Sequence, residues 1–386
     1  MPVRAHGLCA ILLGLGVGWG AGNVGPVATS LTHVFGASFA AVGLLSGTAY
    51  FAAVSVATPL VVPLAARVGV VRAIAIAACL LSAGHLLFAL SPAFSGLLIA
   101  RIVVGVGSGL ALVAGPVLAR ELGGVRLLGM LGGAITLGIA GALGLGSALQ
   151  DAGASWRVGF AISAAVCALP LVVLPPRLAT QPVPRPQRSF VVGAIRTEAL
   201  WRLLALFVAA NGVPLVVSAW LVAYLTQQAH MRTAVAGGLA FILFGLTTLV
   251  RPFSPRLAIA RTRHAYAALA AGGSLIGAAG LAVLAASQSI TVASIAVVLM
   301  GVGFALPYAV MLDAAERLFP GQAAATLALV QSGPNIVPIF VIPLVGSALG
   351  SRHASLAFLV LAAFVAVVAI ANLRGMTPIA PRSLKS

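Results

Sequence analysis

Apolar residues fall in runs of about twenty, the length that crosses a ~30 Å hydrocarbon layer as an α-helix. Short polar or basic connections separate them. Strands of a membrane barrel would instead alternate apolar and polar positions. The pattern predicts twelve spans, at about 8–31, 39–64, 71–90, 94–117, 126–149, 156–175, 201–226, 234–252, 265–286, 290–312, 323–347 and 354–373. They are called spans 1 to 12 below. Most connections are short enough to make sequence neighbours antiparallel in space. The exception is 176–200, rich in proline and arginine, which reads as an exposed linker. The expected fold is an all-α polytopic membrane protein of two pseudo-symmetric six-helix bundles. Residues 1–177 form the first bundle, 178–200 a cytoplasmic linker, and 201–386 the second bundle with a short cytoplasmic tail.

Composition agrees with lipid as the main solvent. The chain is 61% hydrophobic and 7% charged, against about 25% charged for soluble domains. Its 44 glycines suit helices that approach closely in a bilayer. The first run follows Arg4 as a signal peptide would, but it is too long for a typical signal core and further spans follow it. It reads as a retained helix. Cys9, Cys79 and Cys167 lie inside apolar runs without paired spacing, as small buried hydrophobes rather than a disulfide or metal ligands.

The net charge of +17 raises the question of nucleic acid, which would need the basic residues gathered on one soluble face. They sit instead in loops. With the N-terminus inside, 18 of the 22 Arg and Lys residues fall on the inner side and three (Arg157, Arg232, Arg352) on the outer, while Arg101 lies within span 4. Such a bias places both termini in the cytoplasm of a protein of the cell inner membrane.

The two halves also repeat. A shift of 196 residues carries Gly105-Val106-Gly107 of span 4 onto Gly301-Val302-Gly303 of span 10, and Leu110 onto Leu306. It carries Arg120-Glu121-Leu122 onto Glu316-Arg317-Leu318, Arg67 onto Arg263, and Thr136 onto Ser332. Several matches at one offset point to a six-plus-six duplication.

Three local patterns now resemble the major facilitator superfamily, over nearly the whole length. The loop Leu64-Ala65-Ala66-Arg67-Val68-Gly69-Val70-Val71-Arg72 resembles the family's Gly-x-Leu-Ala-Asp-Arg-x-Gly-Arg-Arg signature. Arg67 and Gly69 match, whereas Ala66 stands at the acidic position and Val70 at an arginine position. Arg101-Ile102-Val103-Val104-Gly105-Val106-Gly107 is similar to the family's Arg-x-x-x-Gly-x-Gly pattern, and Trp156-Arg157 with Phe160 to a common opening of span 6. The resemblance implies a secondary transporter working by alternating access. It also implies that spans 1, 4, 7 and 10 line the substrate cavity near the midplane. Polar residues at intermediate depth are then the binding candidates: Asn23, Arg101, Asn211, Tyr224 and Tyr308, with Gln331 and Asn335 beside Pro334 of span 11.

In the family the missing carboxylate helps latch the inner helix ends. Here Arg67, Gly69, Arg72, Glu121, Asp313 and Glu316 are the gating candidates. They read equally as solvated loop charges that set topology, since exposed ion pairs contribute under about 1 kcal/mol.

Arg101 carries the sharpest signal, because a charge at the centre of a membrane helix costs roughly 2.5–3.5 kcal/mol on insertion scales. All five acids, Glu121, Asp151, Glu198, Asp313 and Glu316, sit at span ends or in loops. Two readings of Arg101 stand open. An anionic substrate could supply its partner, or it could snorkel toward the outer surface or bond carbonyls of span 1 as a structural tie. The lack of membrane carboxylates removes the usual proton relay and cation counter-charge. His33 falls at a span end, and His85 reads as a packed core residue. An anionic or neutral small solute follows, coupled through exchange or through the solute itself.

No Walker loop, metal cluster or nucleophile–base set is present in the sequence, so an enzyme is not expected, nor is a cofactor. The expected partners are a small-molecule substrate and the lipid bilayer, with no nucleic acid, for a monomeric permease. A drug or metabolite efflux permease is the nearest alternative. A non-transporting receptor or a channel is the alternative of another class.

Overall fold

The computed structural model describes residues 2–174, 193–253, 263–286, 289–319, 323–351 and 353–375. Most of the expected linker and the tail after residue 375 lie outside the described residues, as do Arg177, Arg185, Arg188, Arg256, Arg261 and Arg352 of the orientation pattern.

The twelve runs are helical. Among the described residues, ten are long and apolar enough to cross a membrane: Gly7–Phe35, Phe39–Leu60, Val70–Leu90, Phe94–Gly124, Arg126–Asp151, Glu198–Gln228, Thr233–Phe253, Ile290–Leu318, Leu329–Leu349 and Ala354–Leu373. Trp156–Val172 and Leu269–Ala285 are shorter apolar helices in the places of spans 6 and 9.

Helix extends beyond the apolar runs where polar residues allow it. Span 4 continues through Arg120-Glu121, and span 10 through Asp313 to Leu318. Good helix formers prolong these ends past the hydrocarbon. Spans 4 and 5 form one stretch, Phe94–Asp151, broken only at Gly124 with φ 58 and ψ −146. Glycine alone reaches that conformation at no steric cost.

Interruptions coincide with proline or with wide turns. In span 1 the helix Pro2–Gly22 gives way to a 3₁₀ turn, Gly25–Val27, before Ala28–Phe35. Pro26 within that turn cannot donate to the helical ladder. Two π-helical segments, Leu44–Ala49 in span 2 and Val208–Gly212 in span 7, widen the backbone, a feature frequent at functional sites.

Small residues set the packing. A Cβ on Gly18 would fall 1.8 Å from the Ile135 carbonyl oxygen, and one on Gly138 2.2 Å from that of Leu15. Spans 1 and 5 therefore touch backbone to backbone, as close-packed membrane helices do. On span 4, Gly105 and Gly109 face Tyr50 and Val54 of span 2, while Gly107 faces Leu81 and Ala77 of span 3. Gly303 of span 10 meets Gly277 and Gly273 of span 9. Each of these three lies 196 residues after its counterpart, so the repeat seen in the sequence is a repeat of one helix contact.

The helices group into two compact units. The first comprises Met1–Val183, Val216–Gly245 and Pro338–Ser351; the second comprises Pro184–Leu215, Leu246–Val337 and Arg352–Ser386. Within the first unit, segments from spans 7, 8 and 11 pack on spans 1, 2 and 5. The Trp220 indole donates to the Ile342 carbonyl at 2.8 Å, and the Thr48 hydroxyl to that of Ile339 at 2.7 Å. Gly47 lies against Pro338, and Gly237 against Ser147. In the second unit, Leu200, Leu203, Phe207, Val310 and Met311 build an apolar core.

Candidate functional site

Each unit holds an arginine set over a tyrosine ring and beside an asparagine. In the first unit Arg101 is fully buried. Its Nε donates to the Leu45 carbonyl at 3.1 Å, and its Nη1 to the Gly20 carbonyl at 2.8 Å and to Asn23 Oδ1 at 3.3 Å. The guanidinium carbon stands 4.4 Å from the centre of the Tyr50 ring, within cation–π range. Tyr50 Oη lies 2.9 Å from Ser108 Oγ.

Local irregularities supply this geometry. Gly20 and Asn23 lie just before the 3₁₀ turn that breaks span 1, and Leu45 lies on the π-helical turn of span 2. Carbonyls that would otherwise serve the helical ladder alone are thereby presented to the guanidinium.

The network continues away from Arg101. Asn23 Nδ2 donates to His85 Nδ1 at 3.2 Å and to Ser163 Oγ at 3.2 Å, and the Trp19 indole reaches the same hydroxyl at 3.0 Å. His85 Nδ1 accepts in this arrangement, and its buried Nε2 has no hydrogen-bond partner among the described residues. It is fully buried and packs near Phe160.

In the second unit Arg251 donates from Nη2 to Asn211 Oδ1 at 2.9 Å and lies 4.1 Å above the Tyr308 ring. Asn211 belongs to the π-helical segment of span 7, Arg251 to the last turn of span 8, and Tyr308 to span 10. All three are half-buried. The two clusters use corresponding helices of each set of six. Asparagine is on the first in both, and arginine and tyrosine exchange places between the second and the fourth.

The remaining candidates fall elsewhere. Tyr224 is fully buried in the first unit. Gln331 is exposed and Asn335 half-buried on the helix Ala323–Leu349, which runs unbroken through Pro334. Arg67 and Arg72 are exposed on either side of Gly69, whose φ of 85 requires glycine. Glu121 and Glu316 are exposed, and Asp313 pairs with Arg317 one turn later at 2.9 Å.

Sequence reasoning missed two features. It counted Arg251 as an inner-side arginine, although the expected bounds of span 8 already enclosed it. It also missed the ion pair of Asp151 with Arg232, at 2.6 Å, because 81 residues separate the partners and no spacing rule connects them.

Twelve apolar helices among the described residues, in a repeated six-helix plan, define a polytopic membrane protein. The chain belongs to the Major Facilitator Superfamily, whose family model matches residues 10–332. Its fold is similar to that of a D-xylose–proton symporter, with a TM-score of 0.77 at 18% identity, covering 96% of this chain and 97% of that one. A bacterial homologue of the human lysosomal transporter Spinster, inward-facing and occupied, matches with a TM-score of 0.73 at 19% identity, over 98% and 97% of the two chains. The E. coli xylose transporter XylE, in a partially occluded inward-open conformation, matches at 0.70 and 18% identity, over 96% and 98%. No curated protein matches the chain by sequence. Membership makes the chain a secondary transporter of a small molecule and not an enzyme.

Proposed function

We propose that the protein moves a small anionic or neutral solute across the inner membrane by alternating access, with both termini in the cytoplasm. The observation that carries this reading is the charge inventory of the spans. Two arginines are held over tyrosine rings inside them, and the sequence from 199 to 312 contains no acidic residue. A cationic cargo would meet fixed positive charge there, at a cost that rises steeply away from water. Proton coupling through a membrane carboxylate, the usual relay in such transporters, lacks its carboxylate here. Exchange of one solute for another, or coupling through the solute's own charge, needs none.

Arg101 serves this function as a tie among spans 1, 2 and 4. Its full burial and its oxygens from two neighbouring helices support that role over direct contact with cargo.

The test is uptake into proteoliposomes of small carboxylates and inorganic anions, set against neutral sugars, amino acids and cationic dyes. Saturable uptake of an anion or a neutral solute is expected. Transport confined to cationic, amphiphilic compounds would overturn the reading in favour of drug efflux.

A further inference from the structure

We propose that Arg251, Asn211 and Tyr308 form the recognition site for a carboxylate on the transported solute. The inference rests on the transporter reading above and names its substrate class.

The contrast between the two asparagines carries it. In the first unit Asn23 Nδ2 meets two acceptors, His85 Nδ1 and Ser163 Oγ. In the second unit Asn211 uses its oxygen in the same way, accepting from Arg251, but its buried Nδ2 has no hydrogen-bond partner among the described residues. Leaving such a donor unsatisfied costs about 1–3 kcal/mol, and native structures rarely tolerate it without a reason. The missing component is an acceptor, and it is missing next to a guanidinium whose face is fixed by the Tyr308 ring. A carboxylate oxygen is the acceptor that answers both groups, through a charge-assisted bond to the guanidinium and a neutral bond to the amide.

Exposure separates this cluster from the other. Arg101 Nη2 also has no hydrogen-bond partner among the described residues. Arg101 has no exposed surface, however, so no solute reaches it. Arg251, Asn211 and Tyr308 each keep some accessible surface, while Asn211 Nδ2 itself is enclosed until the side chain moves. Asn211 sits on a π-helical turn, where the backbone has room to adjust as a ligand enters.

Charge sets the valence. One guanidinium with a neutral amide and a neutral phenol balances a single negative charge. A dianion would bring a second negative charge, and these three residues supply a single guanidinium. A monocarboxylate is favoured over a dicarboxylate or phosphate.

The experiment measures binding and transport separately, on the full-length protein in lipid nanodiscs and in proteoliposomes. The ligands are pyruvate, lactate, succinate, inorganic phosphate and xylose. The variants are Asn211→Asp, Arg251→Lys, Arg251→Gln and Tyr308→Phe, each with a melting curve to confirm folding. Asn211→Asp keeps the side-chain shape but places a carboxylate against Arg251, filling the site from within. The expected result is saturable binding of a monocarboxylate by the wild type. Affinity should fall about tenfold or more in Asn211→Asp and Arg251→Gln, and less in Arg251→Lys. Succinate and phosphate should compete poorly. Binding that is unchanged in folded Asn211→Asp and Arg251→Gln overturns the site. So does uptake of xylose alone, insensitive to both variants, although the transporter reading then stands. If no ligand binds and none is accumulated, the site and the substrate class fall together.

Discussion

Arg101 illustrates how a membrane helix accommodates a charge that hydropathy alone would forbid. Its guanidinium faces three oxygens and a ring, supplied by spans 1 and 2 at their irregular turns. Replacing it with methionine would strip a donor from the Gly20 and Leu45 carbonyls and from Asn23 Oδ1. At about 1–3 kcal/mol for each unsatisfied buried group, Arg101→Met should unfold well below the wild type in a thermal melt in detergent. Lysine carries the charge but lacks the planar fork, so Arg101→Lys should fall between the two. A melting temperature unchanged in both variants would rule out the tying role. The sequence made Arg101 conspicuous but left its role open, because the deciding partners are backbone carbonyls, which no residue type announces. Arg251 was harder to see. Counting residues from the edge of an apolar run places a side chain only to within a turn, and a terminal arginine looks like any other loop arginine.

Helix boundaries show the same distinction between solvent and conformation. Apolar runs revealed all twelve spans, since the bilayer selects for them directly. They did not reveal the extra turns of spans 4 and 10, because Arg120-Glu121 and Asp313 to Arg317 are polar yet helical. Nor did they show that a single glycine would divide spans 4 and 5. Contacts between helices can be tested at the glycines. Gly107→Val would bring new atoms to within 2.8 Å of the Leu81 nitrogen and 2.9 Å of the Ala77 carbonyl, where backbone on the facing helix cannot yield. Gly129 has nothing within 4 Å of an added Cβ, and alanine is the better helix former by about 1 kcal/mol. Fluorescence-detected size-exclusion of tagged variants should show a large loss of folded protein for Gly107→Val and none for Gly129→Ala. Equal yields would mean that spans 3 and 4 do not depend on this contact. Gly303→Val should repeat the Gly107 result, because the 196-residue offset reproduces the contact with Gly277.

For the molecule as a whole, topology and the ion pair of Asp151 with Arg232 give the predictions that reach furthest. In intact cells, on a Cys79→Ser background, a membrane-impermeant maleimide should label Gly153→Cys but not Arg67→Cys. The reverse pattern would invert the orientation read from the arginine bias. Asp151→Arg alone should impair transport by setting two positive charges against each other, and the exchanged pair Asp151→Arg with Arg232→Asp should recover it. Failure of the exchange to recover uptake would reduce the pair to a surface contact of little consequence, which is the usual fate of exposed ion pairs.

The two compact units divide the chain at Leu215, Gly245 and Val337, inside spans 7, 8 and 11. Each of these boundaries falls within a helix rather than in a loop. Amide hydrogen exchange reads opening free energies segment by segment, and an uninterrupted helix would normally give one smooth profile. These three helices should instead show a step in protection at the dividing residues, as though each were two helices joined end to end. Such a step would mark a boundary of cooperativity inside a helix rather than in a loop.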